Sequence, residues 1–336
     1  MSQKIINGIL KKVQIPDLVE LLVDRISFPE LQSLLMKVFE LKIPRKSSTE
    51  LLNNFTSSRF AIPSDIDPVI HRKLELDVFS LLPPGFELID LSPLTPLGTT
   101  SILTNVHQNN VVSTIRNMEV AADTTNILAL ECARRRRELL KSDAKSNQAV
   151  RLCASQRVTR GQAFDNENFS AHFNVIALCT AGRDRGNDSF EISSLKEHIS
   201  FYISILDQLA DSRQIKRIHI KFYTYGGSDN SRLIERIASG FDPGDIVALK
   251  TEEDSEFGRN YYTRLRFMIS VVNRSNQEFD YIDGGFTDWT VRLLGNKKER
   301  LLTSGIGTDY LLRTTGIKPL TPRNNENTDH PGGGNH

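Results

Sequence analysis

The 336-residue chain is predicted to adopt an α+β fold: a mainly antiparallel sheet flanked by helices, preceded by a small helical module. Three features predict it. Apolar side chains in residues 1–58 recur at helical spacings of three and four. Later strand-like runs come in neighbouring pairs, as hairpins do. Amphipathic stretches lie between those pairs, with no repeated strand–helix–strand unit.

In residues 1–58, Leu18, Leu21, Leu22, Leu31, Leu34, Leu35 and Val38 form the helical stripe, and Pro16, Pro29 and Pro44 cut it into short helices. A partner-binding module and a small domain packed on its neighbour are equally open readings. Residues 59–80 begin as a linker, "RFAIPSDIDPVI", and lead into a helix. The core spans 81–320. In "LLPPGFELIDLSPLTPLG", Pro83, Pro84 and Gly85 turn into a strand bearing Phe86, Leu88 and Ile89, which Pro93 and Pro96 end. "NILALECARRRRELL" is a helix whose run Arg134 to Arg137 reads as a solvated face rather than a phosphate site. "AVRLCASQRVTRGQAF" and "FSAHFNVIALCTAG" form a hairpin across "DNEN". "FEISSLKEHISFYISILDQLA" is an amphipathic helix with Ile192, Leu195, Ile199 and Tyr202 on one side. "RIHIKFYT" alternates as a strand, and "YYTRLRFMISVV" with "EFDYIDGG" makes a second hairpin. On such a strand Tyr261 and Tyr262 would face opposite ways. "LLTSGIGTDYLLRTTG" is a strand entering a helix, and the tail 321–336 is expected to be disordered.

Composition excludes several classes. Lys and Arg number 42 against 41 Asp and Glu, so no net basicity draws in nucleic acid or membrane nonspecifically. No apolar run approaches the roughly 18 residues of a membrane span. The start "MSQKIINGILKKVQ" is too polar for a signal peptide. Cys132, Cys153 and Cys179 lack metal-ligand spacing and suit a reducing, cytoplasmic location. The histidines are scattered, so no metal centre is expected.

From about residue 80 to 316 the order of segments resembles the catalytic core of a class II aminoacyl-tRNA synthetase of the histidyl type, which includes the synthetase-like regulatory subunit of ATP phosphoribosyltransferase. "GFELIDLSPL" resembles motif one, which implies a dimer interface through Glu87 to Pro93. "AADTTNILAL" is similar to R-P-[DE]-x-T, keeping Asp123 and Thr125. "VRLCASQRVTRGQ" with "FNVIALCTAG" resembles motif two, which places Arg160 on the ATP α-phosphate and Gln162 and Phe173 beside the nucleotide. "GRNYYT" resembles R-G-L-D-Y-Y-T, with Asn260, Tyr261 and Tyr262 at substrate positions. "GGFTDWTVRLLG" keeps Gly284, Gly285, Asp288 and Gly295 of G-G-R-Y-D-x-L-x-x-x-x-G. "SGIGTDYLLR" resembles motif three, with Gly305, Gly307 and Arg313 toward ATP.

The departures bear on chemistry. Gln162 replaces an acid. Val175 and Cys179 stand where the family holds the substrate ammonium, and neither offers an ionised acceptor at neutral pH. Phe257 replaces an arginine, and Asn260 an aspartate. Arg313 comes one residue late, a rotation of about 100° on a helix. No anticodon-binding domain is expected after motif three, so tRNA is not an expected partner. Three readings follow, the first two being a degenerate paralogue serving as a regulatory or ligand-binding subunit and an ATP-dependent ligase adenylating a carboxylic acid for a non-tRNA acceptor. A dimeric scaffold without ligand is the third. The resemblance implies ATP with Mg2+ as the cofactor and a homodimer. The N-terminal module is a candidate for docking a protein partner.

Overall fold

The computed structural model describes residues 3–104, 106–210, 215–225, 230–239, 247–253 and 261–315. The prolines divide the N-terminal helices as their geometry demands: α1 (Gln3–Val13), α2 (Leu18–Asp24), α3 (Phe28–Lys42) and α4 (Ser48–Ser57). Pro29 sits in the first turn of α3, where no N–H is needed, and Pro44 lies in the 3-10 turn that follows. Ser27 with Glu30, and Ser47 with Glu50, close capping boxes. None of these four helices buries a residue. Of their stripe, Leu21, Leu34 and Val38 are exposed, while Leu18, Leu22, Leu31 and Leu35 are half-buried. α5 (Pro68–Ser80) follows, capped by the Asp67 carboxylate, which accepts from the N–H groups of Val69 and Ile70.

The remaining elements run β1 (Glu87–Leu88), β2 (Leu94–Pro96), α6 (Thr99–Thr104), β3 (Met118–Val120), α7 (Thr124–Ser142), β4 (Val150–Thr159), β5 (His172–Arg183) and α8 (Ser189–Ala210). Then come β6 (Ile215–Thr224), α9 (Ser231–Ala238), β7 (Val247–Glu253), β8 (Leu265–Asn273), β9 (Glu278–Thr287), α10 (Trp289–Leu294), β10 (Glu299–Gly307) and α11 (Thr308–Thr315). Eight strands form one sheet in the order β1-β4-β5-β10-β9-β8-β6-β7, while β2 and β3 pair separately. Every pairing is antiparallel except β1 with β4 and β6 with β7.

Alternation along the strands divides the core into two layers. Leu152, Ala154, Val158, Val175 and Ala177 face α7 and α10, where Leu128, Cys132 and Trp289 pack. Cys153, Ile176, Leu178 and Ile306 face the other way, against α5, α8 and α11. The predicted hairpins β4–β5 and β8–β9 and the helices α7 and α8 are present.

Several expectations change. The strand expected to run from Glu87 to Pro93 pairs over Glu87 and Leu88 only, because the prolines that follow divert the chain into β2. Tyr261 and Tyr262 precede β8 and do not alternate on it; their rings pack together, centroids 4.8 Å apart. The strand of "EFDYIDGG" runs on past Gly285 to Thr287. The arginine run is a solvated face in part only: Arg134 and Arg137 are exposed, whereas Arg136 is fully buried. The predicted disordered tail lies outside the described residues.

The layer behind α8 contains a buried pH-sensitive group. His198 bridges two hydroxyls, with Nε2 2.9 Å from Thr180 Oγ1 and Nδ1 2.7 Å from Ser304 Oγ. Burial drives its pKa down to about 3. The unfolded chain then binds the extra proton between that value and the ordinary value near 6.5, so stability is lost as pH falls through this window. Between pH 7 and pH 5 His198 is expected to remove about 2 kcal/mol. Urea unfolding at both pH values tests this: His198→Gln should flatten the dependence, and an unchanged slope would contradict it.

Candidate functional site

The site grows from the end of β4. Pairing continues past the strand, since Arg160 N–H donates to Ala171 O at 2.8 Å. Alternation therefore puts Arg160 on the α7 face, in line with Val158. Its guanidinium donates from Nε to Ala122 O at 3.0 Å and from Nη2 to Asp123 Oδ2 at 3.2 Å. It lies over the Phe173 ring, 5.1 Å from the centroid. Among the described residues Nη1 has no protein partner.

Asp123 also caps α7. Its Oδ1 accepts from Thr125 N at 2.9 Å and from Thr125 Oγ1 at 2.8 Å. Tyr261 reaches both: its hydroxyl is 2.9 Å from Thr125 Oγ1 and 3.4 Å from Asp123 Oδ2. The Tyr261 ring meets Trp289 edge-on at 5.0 Å. Burial holds the Tyr261 and Tyr262 phenols well above their usual pKa, so both remain protonated donors at neutral pH. Arg160, Phe173, Asp123, Thr125 and Tyr261 are thus one connected group.

The floor is apolar. Val175 and Cys179 are buried on the same face, and the Cys179 thiol approaches Thr125 O at 3.7 Å. Burial pushes that thiol well above its ordinary pKa, which keeps it uncharged. Gly305 lies beside Val175, whose Cγ1 would stand 3.2 Å from a Cβ there, whereas around Gly307 the nearest atom is 3.9 Å from such a Cβ. Gly285 accommodates Tyr262, since an added Cβ would meet Tyr262 Cδ1 and Leu265 O at 2.6 Å each. Gly284 points to the opposite face, against Phe267 and Ser304.

Other predicted residues stand apart from this group. Asp288 heads α10 and binds Arg292 at 2.9 Å. Gln162 takes part through its carbonyl, which accepts from Arg59 Nη1 at 3.0 Å. Arg313 is turned to Asp65, at 2.5 Å, and to Asn168 O, at 2.9 Å. Asn260, Phe257 and Arg259 lie outside the described residues. Sequence reasoning passed over Trp289 and the pair of Arg266 Nε with Asp283 Oδ1, at 2.7 Å. The alternation of "RLRFMIS" and the charge before "GG" were the available signals.

The two carboxylates nearest the site are each engaged by arginine, Asp123 by Arg160 and Asp283 by Arg266. A substrate ammonium would find no uncommitted carboxylate among the described residues here. An anion would find the open edge of Arg160.

No family model matches the chain, and no curated protein matches it in sequence. Solved structures match it in fold. Apo histidyl-tRNA synthetase from S. aureus superposes with a TM-score of 0.56 at 14% identity, over 76% of this chain and 71% of that one. An ATP phosphoribosyltransferase regulatory subunit/histidyl-tRNA synthetase from Bacillus halodurans gives 0.56 at 14% identity, over 76% of this chain and 82% of that one. Histidyl-tRNA synthetase from Nostoc sp. PCC 7120 gives 0.52 at 14%, over 77% and 75%. The chain has the class II synthetase core fold that the motif order suggests. Among the described residues, no helix is long and apolar enough to cross a membrane.

Proposed function

We propose that this chain is a synthetase-like ligand-binding subunit with a regulatory role, which takes a nucleotide such as ATP at Arg160 and does not select a free α-amino acid. The observation that carries the reading is the site's charge arrangement. An arginine with an open edge stacks on Phe173, while Val175 and Cys179 leave the ammonium position without an ionised acceptor. An uncompensated ammonium in such a place is strongly disfavoured. ATP fits the residues present: Arg160 offers a planar donor edge to phosphate, and Gly307 at the end of its strand leaves open space beside it. No group of three or more His, Cys, Asp or Glu side chains among the described residues could hold a metal, so Mg2+ is proposed only as the nucleotide's counter-ion. Calorimetry with ATP tests the reading: saturable binding supports it, and no binding would sink it.

The same Arg160–Phe173 stack favours a second reading, a ligase that adenylates a carboxylic acid lacking an α-amino group for a non-tRNA acceptor. A pyrophosphate-exchange signal with such an acid, and none with amino acids, would select it.

The assembly proposed for the chain is a homodimer through the β1 edge, where Leu88 is exposed and β4 covers one side only. The N-terminal helices are left for a protein partner. Light scattering should show a dimer that Leu88→Glu dissociates and Val38→Glu does not. A wild-type monomer at micromolar concentration would contradict this.

A further inference from the structure

Residues 59–66 were expected to be a linker, but they form a strap across the β4–β5 hairpin. Arg59 donates to Gly161 O at 2.5 Å and to Gln162 O at 3.0 Å. His172 Nε2 donates to Ile62 O at 2.7 Å, and Asp65 holds Arg313 at 2.5 Å. Beneath the strap lies an open cavity of about 490 Å³, lined by β4, β5 and α5. Arg157 and Thr159 line it, on the face of β4 opposite Arg160, so it is separate from the site described above.

Its polar groups are unevenly satisfied. Asp309, buried behind the lining, accepts from Asn174 N at 3.0 Å and from Ser64 Oγ at 3.4 Å. Glu75 accepts from Asn174 Nδ2 at 3.2 Å, from Arg72 at 2.5 Å and from the Ser155 hydroxyl. Both carboxylates are buried and supplied with donors. The arginines above them are not. Arg157 uses Nη1 alone, 3.1 Å from His172 Nδ1 and 3.4 Å from Asp309 Oδ2, which leaves Nε and Nη2 without a protein partner among the described residues. Arg72 uses Nη1 on Glu75 and is otherwise open to solvent. Since a guanidinium only donates, the His172 Nδ1 facing it is an acceptor, while Nε2 donates to the strap. The opposite wall is apolar: Phe60, Ile62, Pro63 and Ile66.

We propose that this cavity is an effector site for a small ligand that carries a phosphate or carboxylate on an apolar body. The anion sits on the free edge of Arg157, with Arg72 beside it, because a guanidinium fork matches an oxyanion with paired donors. The apolar body packs on the strap. Such a ligand ties residues 60–66 to β4 and, through Arg59, restrains the loop that follows Arg160. Occupancy of one face is thereby communicated to the other. The proposal does not depend on what binds at Arg160.

Phenyl phosphate is a suitable probe, followed by 31P NMR titration of the full chain. Saturable binding, tighter than that of inorganic phosphate, is expected, with no binding of phenol. Arg157→Gln and Thr159→Asp, each checked for folding, should each weaken phenyl phosphate at least about tenfold, as expected for a lost charged hydrogen bond or an added like charge. Either variant suffices if the other fails to fold. No saturable binding, equal affinity for inorganic phosphate, or normal binding by a folded variant would overturn the proposal.

Discussion

Arg136→Met is expected to lower the stability of the protein by about 3–5 kcal/mol, the range for breaking a buried ion pair from one side. Arg136 and Glu299 are both fully buried. The guanidinium grips the carboxylate with two bonds, Nε to Oε2 at 2.8 Å and Nη2 to Oε1 at 2.9 Å. It also donates to Gln148 O at 2.6 Å and Ser146 O at 3.1 Å, so one side chain joins α7, β10 and the turn before β4. Removing it leaves Glu299 desolvated without its counter-charge. Glu299→Leu should do similar damage by stranding the arginine. The double variant should recover much of the loss, retaining a cost of about 1–3 kcal/mol for the released carbonyls. Denaturant unfolding of all three checks the pattern. Single variants costing under about 1 kcal/mol would show that the pair behaves as an exposed one.

Arg160→Ala is expected to reduce ATP affinity by at least about tenfold while leaving the fold intact, because a hydrogen bond to a charged group contributes about 1.5–3 kcal/mol. The side chain is 37% exposed and its ion pair with Asp123 is long, at 3.2 Å. Its loss should therefore change stability by less than about 1 kcal/mol. Arg160→Lys should recover only part of the affinity, since an ammonium lacks the planar fork and stacks less well on Phe173. Calorimetry beside a thermal melt separates the two quantities. Unchanged ATP affinity in the alanine variant would remove Arg160 from the binding site.

Much of the fold was legible because strand alternation and helical spacing are local signals. The hairpins β4–β5 and β8–β9 announce themselves within about thirty residues each. What the sequence hid is mostly long-range. The apolar positions Leu128 and Cys132 continue at a spacing of four onto Arg136, which could have marked one arginine of the run as buried. Its partner, however, lies 163 residues away. Tyr261 and Tyr262 are strand formers by propensity, yet they stay outside β8. β7 was missed because its parallel pairing with β6 requires the α9 crossover, and that helix is short. The strap looked like a linker because Arg59 finds its acceptors 102 and 103 residues further on. In the candidate site, the motif residues Asp123, Thr125, Arg160 and Tyr261 do meet. Arg313, displaced by one residue, turns to Asp65 instead.

The central claim is that the class II core fold persists here without amino-acid selection, and histidine-dependent ATP–pyrophosphate exchange tests it most directly. The expected result is no exchange above a protein-free control when histidine is added, in a preparation that binds ATP by calorimetry. Histidine-dependent exchange from the same preparation would contradict the account, because it would require an ammonium acceptor that Val175 and Cys179 do not provide.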